Sequence, residues 1–290
     1  MLLVFNPTAG AGRRRRLARA LSVLTAAGLR PDVAETAHPG HAEEIAREAA
    51  RRGVGVVVAA GGDGTAAEVA SGIAGSAAML GLLPLGTANV LAWELGLPLR
   101  PEGAAAVLAR GRSAEIRPGV ARFADGRTRL FVQMLGAGFD AEVVARLDLG
   151  LKRRIGRLAY VAQSLREMPR YAFPAIAVEA DCVPLGAFAS VIVTKGRLYA
   201  GRYLLAPGAR PEAPGFSVVT FRGGGPARAL LAGLALPLGI VSRLPGVEIR
   251  QAGRVALTGE RVAVQADGDP AGVLPLMVED AAGPVRVLLP

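Results

Sequence analysis

A chain of 290 residues with 51% hydrophobic side chains is long and apolar enough to bury a sizeable core in one or two domains, which excludes a disordered polymer. Its net charge of +10 favours anionic partners such as nucleotides, nucleic acid or an acidic membrane, although an arginine bias that leaves only Lys152 and Lys195 as lysines is equally explained by base composition. A lone cysteine, Cys182, excludes an internal disulfide and a cysteine-rich metal site.

The predicted elements begin with a buried strand over 2–6, a Pro-Thr-Ala-Gly-Ala-Gly loop and an arginine-rich helix with Leu17, Leu21 and Leu24 on one side. A strand over 31–35, a helix over 41–52, a β-branched strand over 54–60 and a helix over 65–75 follow. Then come a strand over 79–84 and helices over 89–95 and 103–111. Strands alternating with helices predict a parallel sheet with helices on both faces, so residues 1–118 read as an α/β domain. Over 119–290 the apolar runs are shorter and turn-bounded, at 130–134, 175–179, 187–194, 216–221, 246–251, 254–257, 262–266 and 285–289. They predict a mostly antiparallel, β-rich domain, interrupted by helices over 141–146, 157–168 and 228–242. The longest apolar stretch, 229–242, contains Pro237 and falls short of the roughly 20 residues that span a bilayer. No charged signal segment precedes the first strand, so a cytoplasmic protein is expected.

Three strand-to-helix junctions share a composition: Asn6-Pro7-Thr8-Ala9-Gly10-Ala11-Gly12, Gly61-Gly62-Asp63-Gly64-Thr65 and Pro84-Leu85-Gly86-Thr87-Ala88-Asn89. Glycines let a ligand approach the backbone, and a helix start offers N–H groups and a partial positive charge that suit a phosphate. In a parallel sheet the C-terminal strand ends share one edge, so all three loops can line one crevice. The Asp63 carboxylate would repel phosphate directly. It fits a metal carried by the phosphates, or a proton or hydroxyl beside them. The same turn also reads as a tight junction with Asp63 as a helix cap. None of the loops is a Walker A loop or a dinucleotide-binding fingerprint.

Together these motifs resemble the diacylglycerol kinase catalytic-domain family, which includes bacterial lipid kinases and sphingosine kinases. The likeness is carried by Asn6-Pro7-Thr8-Ala9-Gly10, by Gly61-Gly62-Asp63-Gly64-Thr65 with Glu68, and by the Pro84-to-Ala92 stretch. Gly138-Phe139-Asp140-Ala141 and Asp267-Gly268-Asp269 extend it, in order, over nearly the whole chain. The resemblance implies a phosphofructokinase- or NAD-kinase-like α/β domain and a β-rich domain, with the active site in the cleft between. It implies transfer of the γ-phosphoryl group of ATP, with Mg2+, to a lipid hydroxyl, diacylglycerol first. Residue by residue, it implies that Asn6, Pro7, Thr8, Ala9, Gly10, Thr36, Gly62, Asp63, Gly64, Thr65, Ala66, Ala67, Glu68 and Thr87 form the nucleotide site. Asp63 would also help position metal and phosphates. Asp269 stands where the family has a glutamate proposed as general base toward the lipid hydroxyl. The acceptor would be met at the inner membrane face by peripheral contact, and a homodimer is one open arrangement. A sphingoid-base kinase, an NAD kinase-like enzyme and a non-catalytic nucleotide- or lipid-binding regulator are the alternatives.

Three positions depart from the family pattern. Asp269 is one methylene shorter than glutamate, which sets its carboxylate about 1.5 Å further back. Asn89 is followed by Val90 where the family often has aspartate. Ala213-Pro214-Gly215, beside Glu212, stands where some bacterial relatives hold a structural Mg2+ on Asp-Asp-Gly, so that structural metal is not expected here.

Outside the motifs, His38 and His41 flank Pro39-Gly40 with no third ligand evident, and read as a solvated helix start. Arg13, Arg14, Arg15 and Arg16 oppose the dipole of the helix they open, which an anion or solvent would relieve. The cluster Lys152-Arg153-Arg154-Ile155-Gly156-Arg157 and the apolar stretch 229–244 fit an anionic membrane face, and equally fit solvated charge and a core helix. Nucleic acid is not expected, because aromatics are only 4% and no recognised binding module is present.

Overall fold

The strand-and-helix alternation of the first half builds one sheet in the computed structural model, which describes residues 1–8, 12–148, 150–151, 155–156 and 158–290. In chain order its elements are β1 (Leu2–Phe5), α1 (Arg13–Ala26), β2 (Asp32–Glu35), α2 (His41–Arg51) and β3 (Val56–Gly61). Next come α3 (Asp63–Ile73), β4 (Met79–Pro84), α4 (Val90–Glu94), α5 (Pro101–Arg110) and β5 (Arg112–Ile116). The sheet order is β2-β1-β3-β4, all parallel, followed by the C-terminal strand Val285–Leu289 and β5. β3 and β4 are almost wholly buried because both faces are covered. On one face Leu17 and Leu24 of α1 and Leu108 of α5 pack with Leu3, Val58 and Leu83. The helices α2 and α3 cross closely: a Cβ on Gly72 would lie 2.4 Å from the Glu43 carbonyl oxygen.

The C-terminal strand corrects one expectation. Val285–Leu289, assigned by sequence to the β-rich half, pairs parallel with β4 and antiparallel with β5. Without it, the buried β4 would be an unpaired sheet edge. The first compact unit is therefore Met1–Arg117 with Ala282–Pro290, and the second is Pro118–Ala281.

The second unit holds β6 (Gly119–Phe123), β7 (Thr128–Phe131), β8 (Met134–Gly138), α6 (Phe139–Ala145), β9 (Ile176–Ala180), β10 (Val183–Phe188) and β11 (Ser190–Thr194). It continues with β12 (Leu198–Tyr199), β13 (Tyr203–Leu204), β14 (Phe216–Phe221), β15 (Val247–Ala252), β16 (Arg254–Thr258), β17 (Ala263–Ala266), β18 (Asp269–Val273) and β19 (Leu276–Asp280). Two antiparallel sheets, β10-β9-β16-β19-β6-β7 and β15-β14-β11-β8-β17-β18, share one core that includes Phe131, Val178 and Val255 from the first and Leu135, Val193 and Val264 from the second. This is a β-sandwich.

Two apolar runs read as single strands are pairs. The run 130–134 spans β7 and β8, and 187–194 spans β10 and β11; at each break the chain passes from one sheet to the other. The apolar pattern runs on because both sides of the break feed the same core. The helix expected over 228–242 is Pro226–Ala235, with a 3-10 turn at Val241–Arg243, and Pro237 accounts for the early end. Among the described residues, no helix is long and apolar enough to cross a membrane.

Candidate functional site

At the C-terminal edge of the parallel strands the three loops are tied together. The N–H groups of Leu85 and Gly86 both donate to the Gly61 carbonyl, at 2.8 and 3.0 Å. The second and third loops approach so closely that a Cβ on Gly86 would lie 2.5 Å from Gly62 Cα, so only glycine fits there. Asn6 joins the first loop to the second: its Nδ2 donates to Thr65 Oγ1 at 3.2 Å, while its Oδ1 accepts the N–H and O–H of Thr8 at 3.0 and 2.8 Å. Asp63 accepts the Leu91 N–H at 3.0 Å, so it caps the neighbouring helix α4. The first turn of α3 makes no side-chain cap bond at Gly62. The N–H groups of Asp63, Gly64 and Thr65 thus start a helix at this edge with no helical carbonyl to meet them and a partial positive charge.

Other residues expected at the nucleotide are differently engaged. Glu68 accepts the N–H groups of Gly40 and Ala42, at 2.9 and 3.2 Å, and caps α2. Thr36 is held beside the first loop by its N–H on the Phe5 carbonyl at 2.9 Å. Thr65, Ala66 and Ala67 are buried in the first unit, whereas Pro7 and Thr87 are half-buried and Thr8 is exposed. Ala9 and Gly10, like Lys152, Arg153, Arg154 and Arg157 of the basic cluster, lie outside the described residues.

The arginines divide by role. Arg14 pairs with Glu35, at 2.6 and 2.9 Å. Arg16, which sequence reasoning did not single out from its neighbours, donates to the carbonyls of Pro84, Leu85 and Leu99 and ties α1 to the third loop. Arg13 is 4% exposed and donates to the Asn6 carbonyl at 3.2 Å, while its buried Nε has no partner among the described residues. Burial, and then Arg16, lowers its pKa to about 10. A buried guanidinium so placed favours an anion at the first loop.

His38 and His41 stack at 4.7 Å, and Glu44 brings a carboxylate to within 4.8 Å of both, a third group not evident from the sequence. His41 Nδ1, however, accepts the Ala37 N–H at 3.0 Å. Its unprotonated nitrogen is already used, so a metal would have to displace that bond.

In the second unit Asp267-Gly268 is the two-residue turn between β17 and β18, with φ of 50° and 82° that match a type I′ hairpin. The Asp267 carboxylate accepts the N–H groups of Val132, Gln133 and Met134 at 2.8, 2.8 and 3.0 Å, which pins the passage from β7 to β8. Asp269, half-buried, is the first residue of β18. Asp140, in the first turn of α6, accepts the Tyr199 O–H and, at 3.0 Å, a Gln265 N–H. Burial pushes its carboxyl above the ordinary range against those two bonds.

Comparison with known proteins yields two family matches: the diacylglycerol kinase catalytic domain over residues 1–121, and the YegS C-terminal NAD kinase beta sandwich-like domain over residues 133–289. A Stenotrophomonas maltophilia protein named "Probable lipid kinase YegS-like" is 30% identical over 289 residues, covering 91% of this chain and 88% of its own length. A Xanthomonas campestris protein of the same name is 38% identical over 160 residues, so the match spans 53% of this chain and only 52% of that relative. A third, from Xanthomonas euvesicatoria, is 34% identical over 204 residues and is matched over 64% of its length. A crystal structure described as "a putative diacylglycerol kinase" from Bacillus anthracis shares the fold with a TM-score of 0.81 at 19% identity, covering 100% of this chain and 94% of that one.

Proposed function

The chain belongs to the diacylglycerol kinase catalytic-domain family, and from that premise we propose that it is an ATP-dependent kinase acting on the hydroxyl of a membrane lipid, diacylglycerol first. The observation that carries this reading is the joining of three strand-to-helix loops at one sheet edge, with Gly62 and Gly86 in backbone contact. Two loop backbones held together at the start of an eleven-residue helix, whose first-turn N–H groups have no helical acceptor, suit the phosphates of a nucleotide. Bound there with Mg2+, ATP supplies the phosphoryl group, and the metal offsets its charge. The first-turn N–H groups of α3, with Asn6, Thr8 and Thr87, bind phosphate oxygens, and Arg13 adds a cation. Asp63, oriented by the Leu91 N–H, positions the metal. Asp269 accepts the proton of the lipid hydroxyl as the hydroxyl oxygen bonds the γ-phosphorus and the bond from that phosphorus to the β,γ-bridging oxygen breaks, releasing ADP. Such chemistry asks mainly for positioning and charge neutralisation.

Two helices support the membrane part. Leu158–Glu167 is inside out: it buries Gln163 and Glu167 while Leu158, Val161 and Leu165 are 65, 54 and 56% exposed. Pro226–Ala235 buries only Ala235 and exposes Leu230, Leu231 and Leu234, with Arg228 and Arg243 nearby in sequence. Leucines in this number favour a bilayer interface over water, and arginines favour anionic headgroups.

The test is incubation with labelled ATP, Mg2+ and, in turn, diacylglycerol, sphingosine and NAD. Label is expected in diacylglycerol and lost in Asp63→Asn and Asp269→Asn. Label in NAD alone, or ATP binding without any labelled acceptor, would replace this reading with an NAD kinase-like enzyme or a regulator.

A further inference from the structure

Gln265, 2% exposed on β17, is a buried polar side chain on the face of its sheet opposite the sandwich core, which takes its neighbours Val264 and Ala266. It sits opposite Gly136 of β8, whose missing side chain makes the room: a Cβ there would lie 2.8 Å from Gln265 Nε2 and 3.0 Å from Asp140 Oδ2. The amide bridges two elements. Its Oε1 accepts the Gly268 N–H at 2.8 Å, and its Nε2 donates to Asp140 Oδ2 at 3.0 Å. The other Asp140 oxygen accepts the Tyr199 O–H. Each direction is forced: a backbone N–H can only donate, so Oε1 faces the turn and Nε2 faces Asp140. Asp267 anchors the same turn from the other side through its three backbone bonds. The turn that delivers Asp269 is therefore clamped at both of its residues.

We propose that Gln265 and Asp140 are positioning residues for Asp269, fixing through the Gly268 N–H the direction in which the Asp269 carboxylate leaves β18. This rests on the reading that Asp269 accepts the proton of the acceptor. A short carboxylate has little reach with which to recover from a rotated turn, and misplacement by about 1 Å can cost on the order of 100-fold in rate.

The experiment uses the full chain, diacylglycerol in phosphatidylglycerol vesicles, and hydrogen exchange of the 262–273 segment. Gln265→Leu is expected to lower kcat about ten- to 100-fold. It should leave the KM for ATP unchanged, because the proposed nucleotide residues lie in the other unit, and should speed exchange at the turn. Asp140→Asn, which can still accept from Gln265, should retain most of kcat. Gln265→Glu sets two carboxyls against each other, so its activity should be low at high pH and recover as the pH is lowered and one shared proton restores the missing donor. A packing role would give no such recovery. Wild-type kcat in Gln265→Leu, or turn exchange as slow as in wild type, overturns the proposal; if Gln265→Leu does not fold, failure of Gln265→Glu to recover does the same. If wild type labels no acceptor while exchange still quickens in the variant, the kinase reading fails and the clamp stands.

Discussion

The buried ammonium of Lys195 lies 2.7 Å from Asp280 Oδ1, and the other Asp280 oxygen accepts the Gly215 N–H at 2.7 Å. The same Nζ donates to the carbonyls of Ala213 and Gly215, at 3.0 and 2.7 Å, and lies 4.6 Å from the centre of the Phe216 ring. One side-chain cation thus joins the end of β11, the turn before β14 and the end of β19. The stretch Ala213-Pro214-Gly215, which lacks the paired aspartates of a metal-binding segment, meets an ammonium in a cage of oxygens. Lys195→Met would leave a carboxylate and two carbonyls short of a donor. A broken fully buried pair costs about 3–5 kcal/mol, and because the Asp280 side chain is 28% exposed the loss here should fall toward or below the lower end of that range. Urea unfolding should show that loss, with partial recovery in methylammonium. A loss under about 1 kcal/mol would place the pair with weak, solvent-screened ones.

Arg13 should matter to nucleotide and not to the empty protein. Its folded pKa, about 10, lies below its ordinary value, so the unfolded chain holds the proton more tightly. Stability from this group therefore rises with pH only above about 10, and at neutral pH the cost of the buried charge is fully present. Arg13→Gln should leave the unliganded protein at least as stable at pH 7.5. It should raise the KM for ATP about ten-fold, roughly 1.4 kcal/mol, the scale of one charge-assisted bond. Thermal shift with and without ATP separates the two effects. An unchanged ATP shift would remove Arg13 from the nucleotide site.

Asp140 makes a prediction of opposite sign. Its carboxyl is raised by burial, so the folded protein binds the proton more tightly than the unfolded chain. Stability from this group falls as pH rises from the ordinary value near 3.9 through the raised one. Relative to Asp140→Asn, wild type should lose unfolding free energy between pH 4 and the raised pKa. Paired urea titrations across that range check it. The reverse slope would mean that the bonds from Tyr199 and Gln265 outweigh desolvation.

Much of the first unit is legible in sequence because β1, β3 and β4 are continuous apolar runs, each closed by a glycine-bearing turn into a helix. The loops are legible for the same reason: Gly62 and Gly86 stand where backbones touch. The partners of Glu68 and Arg16 are not, since they lie on other elements and leave no local mark. The strand β18, Asp-Pro-Ala-Gly-Val, reads as loop because proline and glycine are poor strand residues, although the preceding Asp267-Gly268 is itself a hairpin signal. Gln265 alternates with the core-facing Val264 and Ala266 and so reads as an outward position; its burial against Asp140 of α6 leaves no local mark. Tyr199 offered no signal either. The home of Val285–Leu289 depends on its pairing with β4 and, along its whole length, with β5, which no local pattern encodes.

The exposed leucines give the last prediction. Leu230 and Leu234 are 44 and 63% exposed on Pro226–Ala235, so replacing both by serine removes little of the packing that stabilises the fold. Burying a leucine in an apolar phase is worth about 1.5–3 kcal/mol, and even partial insertion of two would change affinity by about ten-fold or more. The doubly substituted protein should keep its unfolding midpoint and its turnover of a dispersed short-chain diacylglycerol. It should sediment poorly with phosphatidylglycerol vesicles and label long-chain diacylglycerol in them slowly. Sedimentation velocity of wild type supplies the control. If vesicle binding is unchanged while a wild-type dimer dissociates on substitution, the leucines cover a second copy of the chain and not a bilayer.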